Sequence, residues 1–272
     1  MNSMKIVVKI GGSLLKAGVP AGLMDDLKCL SESNQLALVH GGGDVVTEYA
    51  TRLGKEQRFV VSPEGIRSRH TDMETAEIYT MVMSGLLAKK LVLALQARGV
   101  SAVSLTGLDG RVFQGRRKKK LLVMDERGRK VLIDGGFTGR VESVNTSLAN
   151  LLMSNGYLPV VSPVAISEDC EPLNIDGDRA ASALASAAAA DAVVFLTNVG
   201  GLMLGGELVP RLSVDEATTR LPEIGFGMQK KIMAAVEAAR AGVKEAIICS
   251  GSVESPVTQG LAHIGCTVIS GT

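Results

Sequence analysis

Met4-Lys5-Ile6-Val7-Val8-Lys9-Ile10-Gly11-Gly12-Ser13 is an apolar, β-branched run that stops on a glycine pair. The pattern recurs at Leu36–His40, which stops on Gly41-Gly42-Gly43. Continuous apolar runs of this length suit strands covered on both faces, as in a parallel sheet. Similar runs at Val103–Leu105, Leu158–Val161, Ala192–Leu196, Glu245–Cys249 and Thr267–Ile269 alternate with helical patterns near 21–31, 44–53, 72–98, 145–154, 179–190, 228–241 and 256–263. The alternation predicts an α/β fold, a three-layer αβα sandwich around a central, mainly parallel sheet. Two stretches break it. From Arg111 to Val141 the sequence is turn-rich and strand-like, predicting β-hairpins appended to the sheet. Ala180–Ala190 is dominated by alanine and reads as a helix packed close against the sheet. Thr71-Asp72-Met73-Glu74 has capping-box spacing and predicts the start of the long third helix.

Composition narrows the class. The chain has 272 residues, 46% of them hydrophobic and 21% charged, enough to bury a substantial core. Aromatics make up 3% and Trp is absent, so that core is aliphatic. The 31 glycines follow no G-x-y period, which excludes collagen. A net charge of +1 argues against a generally basic nucleic-acid binder. Cys29, Cys170, Cys249 and Cys266 form no C-x-x-C pair, and His40, His70 and His263 do not cluster, so no zinc site or disulfide framework is expected. No signal-peptide pattern precedes the first strand, and no apolar run reads as long enough to cross a bilayer. The expectation is a cytoplasmic, reducing environment.

In an open parallel sheet, ligands bind where strands end and helices begin. The loops at Gly11-Gly12 and Gly41-Gly42-Gly43 occupy such junctions, where backbone N–H groups can face an anion. Neither is a Walker A or a G-x-G-x-x-G sequence. Lys9 is a polar residue inside an apolar strand: it either snorkels to solvent or places its ammonium beside a phosphoryl group. Lys231, in Gly225-Phe226-Gly227-Met228-Gln229-Lys230-Lys231, reads alone as a solvated helix residue. Asp178, closing Pro172-Leu173-Asn174-Ile175-Asp176-Gly177-Asp178, is either a helix N-cap or a carboxylate held between two lysines. Arg67 and Arg69 precede the long helix, as surface charge or as a bidentate grip on a carboxylate.

Taken in order, K-I-G-G-S, H-G-G-G, the arginine before T-D-x-E-T, L-N-I-D-G-D and G-M-x-x-K resemble the amino acid kinase family over the whole chain, and within it the N-acetylglutamate kinases. Ser62-Pro63-Glu64-Gly65-Ile66-Arg67-Ser68-Arg69, Arg117–Lys120, Asp125–Gly128 and Asp134–Gly139 resemble the branch that acts on aminoadipate or glutamate attached to a small carrier protein of the LysW type. The resemblance implies ATP with its Mg²⁺, and a product that is an acyl phosphate. It implies that Lys9 and Lys231 stabilise the transferred phosphoryl and that Asp178 organises them. It further implies substrate-facing roles for Gly41, Gly42, Gly43, Arg69 and Asn174, and nucleotide-facing roles for Gly11, Gly12, Thr197 and Asn198. Asn198 stands where the family often has aspartate. An acceptor lobe of about residues 1–170 and a nucleotide lobe of about 171–272 follow from the same likeness.

Residues 116–130 hold eight basic and two acidic side chains, a local charge of +6. Arg116, Arg117, Lys118, Lys119 and Lys120 open this run and form the expected docking patch for an acidic carrier protein. With no aromatics between the basic residues, base stacking and RNA binding are disfavoured. The competing readings are a kinase for free N-acetylglutamate and a non-catalytic nucleotide or amino-acid sensor. No room precedes Met4 for the N-terminal oligomerisation helix of arginine-inhibited relatives, so a homodimer is expected rather than a hexamer.

Overall fold

The computed structural model describes residues 3–16 and 18–271. Lys5–Ile10 lies near the centre of an eight-stranded sheet. From one edge the strand order is Arg211–Ser213, Cys266–Ser270, Glu245–Ser250, Ala192–Thr197, Lys5–Ile10, Gln35–His40, Leu158–Ser162 and Ala102–Thr106. Every pairing is parallel except Glu245–Ser250 against Cys266–Ser270. The seven strands expected from the apolar runs all occur. Arg211–Ser213 was not anticipated, because three residues of one edge strand carry too little periodicity to read.

Alternation along Lys5–Ile10 divides the core. Ile6, Val8 and Ile10 join a cluster with Leu23, Leu27, Leu91 and Leu95 on one face. Val7 joins Ala180, Ala181, Leu184 and Ala235 on the other. A period of two puts Lys9 on the Val7 face, toward helices Gly177–Ala187 and Phe226–Arg240. Alanines on the first of these helices let it approach the sheet closely, and Ser182 Oγ donates to the Ala234 carbonyl at 2.7 Å, tying the two helices together.

The long helix runs from Met73 to Gln96 with a π-helical segment at Met81–Leu87 in its middle. Its N-cap is Asp72, whose carboxylate accepts from the Thr75 N–H at 2.8 Å. The expected capping box at Thr71 does not form: Thr71 is fully buried and accepts from Asn174 instead. A capping box does occur at Ser213–Glu216. Contrary to expectation, this helix is long and apolar enough to cross a bilayer by length and composition alone. Its Ala88, Leu91 and Leu95 are instead fully buried in the core.

The turn-rich segment forms appended sheets, as expected. Phe113–Arg117 and Gly139–Val144 join Val164–Ile166 and Pro172–Asn174 in a four-stranded sheet. Lys120–Met124 and Lys130–Asp134 form a separate outer hairpin, and Phe59–Val61 with Arg67–Arg69 another.

Candidate active site

Lys9 and Lys231, 222 positions apart in sequence, meet at one carboxylate. Lys9 Nζ lies 2.6 Å from Asp178 Oδ1 and Lys231 Nζ lies 3.2 Å from Asp178 Oδ2. Both side chains of the first pair are buried, and Lys231 is nearly so. The bland alternative for Asp178 is excluded by its neighbour. Asp176 is the N-cap, accepting from the N–H groups of Asp178 and Arg179 at 2.9 and 3.2 Å, which leaves the Asp178 carboxylate to the lysines. Burial alone would raise the Asp178 carboxyl, but the charges of Lys9 and Lys231 outweigh it and hold the group below the usual carboxylate range. Snorkelling is likewise excluded for Lys9, which is 5% exposed.

This group borders a cavity of about 650 Å³. Lys9, Asp178, Gly41, Gly42, Gly43, Arg69 and Asn174 all line it, whereas Lys231 reaches the group only through Asp178 and is not part of the lining. Arg69 is buried, and its guanidinium donates to the Gly43 carbonyl at 2.7 Å, to Thr47 Oγ1 at 2.8 Å and to Gln57 Oε1. The guanidinium lies over the Phe59 ring at 4.9 Å. Asn174 Nδ2 donates to Thr71 Oγ1 at 3.0 Å, fixing the amide. Gln57 and Thr47 were invisible as site residues in the sequence, since each acts through its contact with Arg69; Phe59, missed as well, lines the cavity itself.

The two glycine loops touch. A Cβ on Gly12 would come within 2.8 Å of the Gly42 N, and one on Gly42 within 2.1 Å of Leu87 Cδ1. Close backbone approach therefore demands glycine at Gly12, whereas Gly42 is confined by the Leu87 side chain, in both cases independently of any ligand. Gly11 and Gly41 have committed their N–H groups to the carbonyls of Leu196 and Ile10, at 3.1 and 2.8 Å. The N–H groups of Gly12, Gly42 and Gly43 lie at helix starts, where an α-helix has no internal acceptors. Gly11, Gly12, Thr197 and Asn198 do not line the cavity. They gather at the same end of adjacent strands, where Thr197 is buried, Asn198 is exposed and Thr197 Oγ1 donates to Asn198 Oδ1 at 3.2 Å.

His40, before the second glycine loop, is fully buried. Its Nδ1 sits 3.1 Å from the Gly41 carbonyl, which can only accept, so the proton belongs on Nδ1. Nε2 then accepts from Ser162 Oγ at 2.9 Å, and this hydroxyl also lies 3.3 Å from the Met83 carbonyl in the π-helical segment. Burial lowers the imidazole to about 4, against the opposing Gly41 hydrogen bond and with help from Lys9.

The basic run does not form one outward surface. Arg116 is exposed and paired with Glu142, and Lys119 and Lys120 are exposed. Arg117 turns inward, over the Phe137 ring at 4.1 Å, donating to the Gly136 carbonyl at 2.6 Å and to Glu171 at 3.2 Å. Lys118 is half-buried and lines the cavity. Strand alternation sends Arg116 and Arg117 to opposite faces, and the link between the two strands leaves Lys118 inside and Lys119 outside, a split that charge counting cannot see.

The model of the amino acid kinase family matches residues 4–250. The chain belongs to the amino acid kinase family. A relative from Nitrosopumilus maritimus, provisionally named [LysW]-aminoadipate/[LysW]-glutamate kinase, is 49% identical over 97% of this kinase chain and 98% of its own. The [LysW]-aminoadipate/[LysW]-glutamate kinase of Metallosphaera sedula is 43% identical over 96% and 98% of the two chains. The N-acetylglutamate synthase of Neisseria gonorrhoeae superposes with a TM-score of 0.80 at 22% identity, covering 99% of this kinase but only 60% of the synthase. The carbamate kinase of Giardia lamblia superposes at 0.69 with 16% identity over 98% of both chains. At such identities the likeness is one of fold, and the expected fold is the one found.

Proposed function

We propose that this kinase transfers the terminal phosphoryl of ATP to the side-chain carboxylate of 2-aminoadipate or glutamate, held through its amino group on an acidic LysW-type carrier protein. The observation that carries the reading is that Lys9 and Asp178 line a cavity that also contains Arg69 and Asn174, with Lys231 joined to them through Asp178. The names of the relatives supply the substrate.

The acceptor is already a nucleophile at neutral pH, so no general base is needed. One carboxylate oxygen attacks the phosphorus, the bond to ADP breaks, and an acyl phosphate leaves with no net proton transfer. The work left to the protein is alignment and charge neutralisation. Arg69 and Asn174 grip the α-carboxylate and main-chain part of the acceptor. Lys9 and Lys231 offset the charge on the phosphoryl oxygens, and Asp178 keeps both ammonium groups in register. The N–H groups of Gly12, Gly42 and Gly43 border the phosphates, with Thr197 and Asn198 on the nucleotide side. Among the described residues no three His, Cys, Asp or Glu side chains gather as a metal site, and both Asp178 oxygens face lysines. In this reading Mg²⁺ would arrive with the nucleotide and would screen the charge of its phosphates.

An acceptor lobe of about 1–170, a nucleotide lobe of about 171–272, a homodimer and a cytoplasmic site of action belong to the same proposal. The exposed Arg116, Lys119 and Lys120 are its docking surface for the acidic carrier. ADP release measured with carrier-linked aminoadipate, carrier-linked glutamate and free N-acetylglutamate tests the whole. Turnover of a carrier-linked substrate well above the free one is expected. Equal or better turnover of free N-acetylglutamate would replace this reading with the simpler kinase.

A further inference from the structure

The cavity holds more positive charge than the roles above require. Besides Lys9 and Arg69, its wall contains Arg67, Lys118, Arg179 and Lys230. Three of these are engaged. The Arg67 guanidinium lies 3.9 Å over the Phe59 ring, Arg179 reaches Glu237 at 3.1 Å, and Lys230 donates to the Arg67 carbonyl at 3.4 Å. Lys118 differs: among the described residues its ammonium has neither a hydrogen bond nor an ion pair. Burial, and then the nearby charge of Arg179, pull its proton affinity down, while Asp176 opposes this only in part. Asp176 is itself occupied by capping the helix through Oδ1. A half-buried, unpaired ammonium among cations is a costly arrangement that an anion would relieve.

We propose that Lys118 anchors a second anion subsite in the acceptor cavity, which takes a carboxylate borne on the acyl portion of the substrate rather than on the amino acid being phosphorylated. The inference rests on the cavity being the acceptor site. Lys9 and Lys231 flank the reacting carboxylate and Arg69 the α-carboxylate, so an N-acyl amino acid has only its acyl chain left to offer. Position agrees with chemistry. Lys118 follows strand Phe113–Arg117 and precedes the outer hairpin, whose Leu121, Leu122 and Val123 line the same cavity. An acyl chain entering beneath that hairpin passes Lys118. The residue thus separates from the exposed docking surface and becomes a specificity determinant for what is attached to the amino group.

The test compares N-succinylglutamate, which carries the extra carboxylate, with N-acetylglutamate, which lacks it. Affinities come from isothermal titration and kcat/KM from ADP release, for the wild type, Lys118→Met and Lys118→Arg. A tenfold or greater preference for the succinyl compound is expected in the wild type, collapsing to near unity in Lys118→Met and largely restored in Lys118→Arg. A preference that survives in Lys118→Met overturns the subsite. So does a rise in the KM for ATP with the succinyl preference unaltered, which would assign Lys118 to the nucleotide. No binding of the succinyl compound by the wild type overturns the subsite, while turnover of carrier-linked glutamate, measured alongside, reports separately on the acceptor-site reading.

Discussion

Lys9 and Lys231 occupy a setting opposite to that of Lys119, Lys120, Arg127 and Lys130. Lys9 is buried and lines a cavity, Lys231 is largely buried, and the two share one carboxylate. The others lie exposed on or beside the outer hairpin. Both groups carry positive charge, yet the physics differs. Around Asp178 the dielectric is low and few waters compete, so each ion pair is strong and each unpaired charge costly. On the hairpin, solvent and salt screen every charge, and the group acts mainly through its summed field. One region is built to hold charge in a fixed geometry, the other to attract a partner from a distance.

The sharpest way to break this contrast is Asp178→Ala. Two buried ammonium groups would lose their shared partner, and a loss of about 3–5 kcal/mol in stability is expected. Loss of an aligned phosphoryl clamp is expected to lower kcat by at least about 10²–10³-fold. Urea denaturation and ADP release check the two together, and a stable, active variant would show that Asp178 does not organise the lysines.

Burial also sets the pH response. His40 has its folded-state value lowered to about 4 from 6.5, chiefly by desolvation. Between these values the unfolded chain takes up a proton that the folded chain does not, so stability falls as pH drops from about 6.5 to about 4. The loss is expected to be on the order of 3 kcal/mol. His40→Asn should flatten that part of the profile. Urea midpoints at pH 7 and pH 4.5 that fall equally in both proteins would assign the slope elsewhere.

Arg69→Lys keeps the charge but loses the planar fork that meets Gly43, Thr47 and Gln57. The KM for the acceptor is expected to rise about 10–100-fold, in line with roughly 1.5–3 kcal/mol for charged hydrogen bonds. The KM for ATP should change little, and a rise there instead would remove Arg69 from the acceptor side.

The smallest effect belongs to the exposed region. Charge reversal at Lys119 and Lys120 should lower kcat/KM for carrier-linked substrate only about three- to tenfold at low salt, mostly through slower association. The difference should shrink as salt rises past the point where the Debye length is about 8 Å. An effect as large as that of Asp178→Ala, or one indifferent to salt, would erase the distinction between the two regions.

Much of this was legible from pattern. Apolar runs, two of them ending on glycine, located seven strands of the central sheet, because a fully buried strand must be apolar on both faces. The turn-rich composition of 111–141 marked the appended hairpins. Local competition between neighbours was harder to see. Asp72 caps the long helix in place of Thr71, and Asp176 caps the helix at Gly177 in place of Asp178. Each choice hinges on which side chain has another partner in space: Thr71 accepts from Asn174, and Asp178 is held by Lys9 and Lys231.

By itself the sequence determined the layered architecture and the residue types available for phosphoryl transfer, since periodicity and glycine placement act over a few residues. Only the tertiary structure decided that Lys9 and Lys231 share one acid, that Gly12 and Gly41 are glycines because their backbones touch, and that Lys118 lies inside the cavity while Lys119 and Lys120 stay outside. The reason is that electrostatic strength and steric need depend on burial and on neighbours distant along the chain, and neither exists until the sheet and its covering helices have closed.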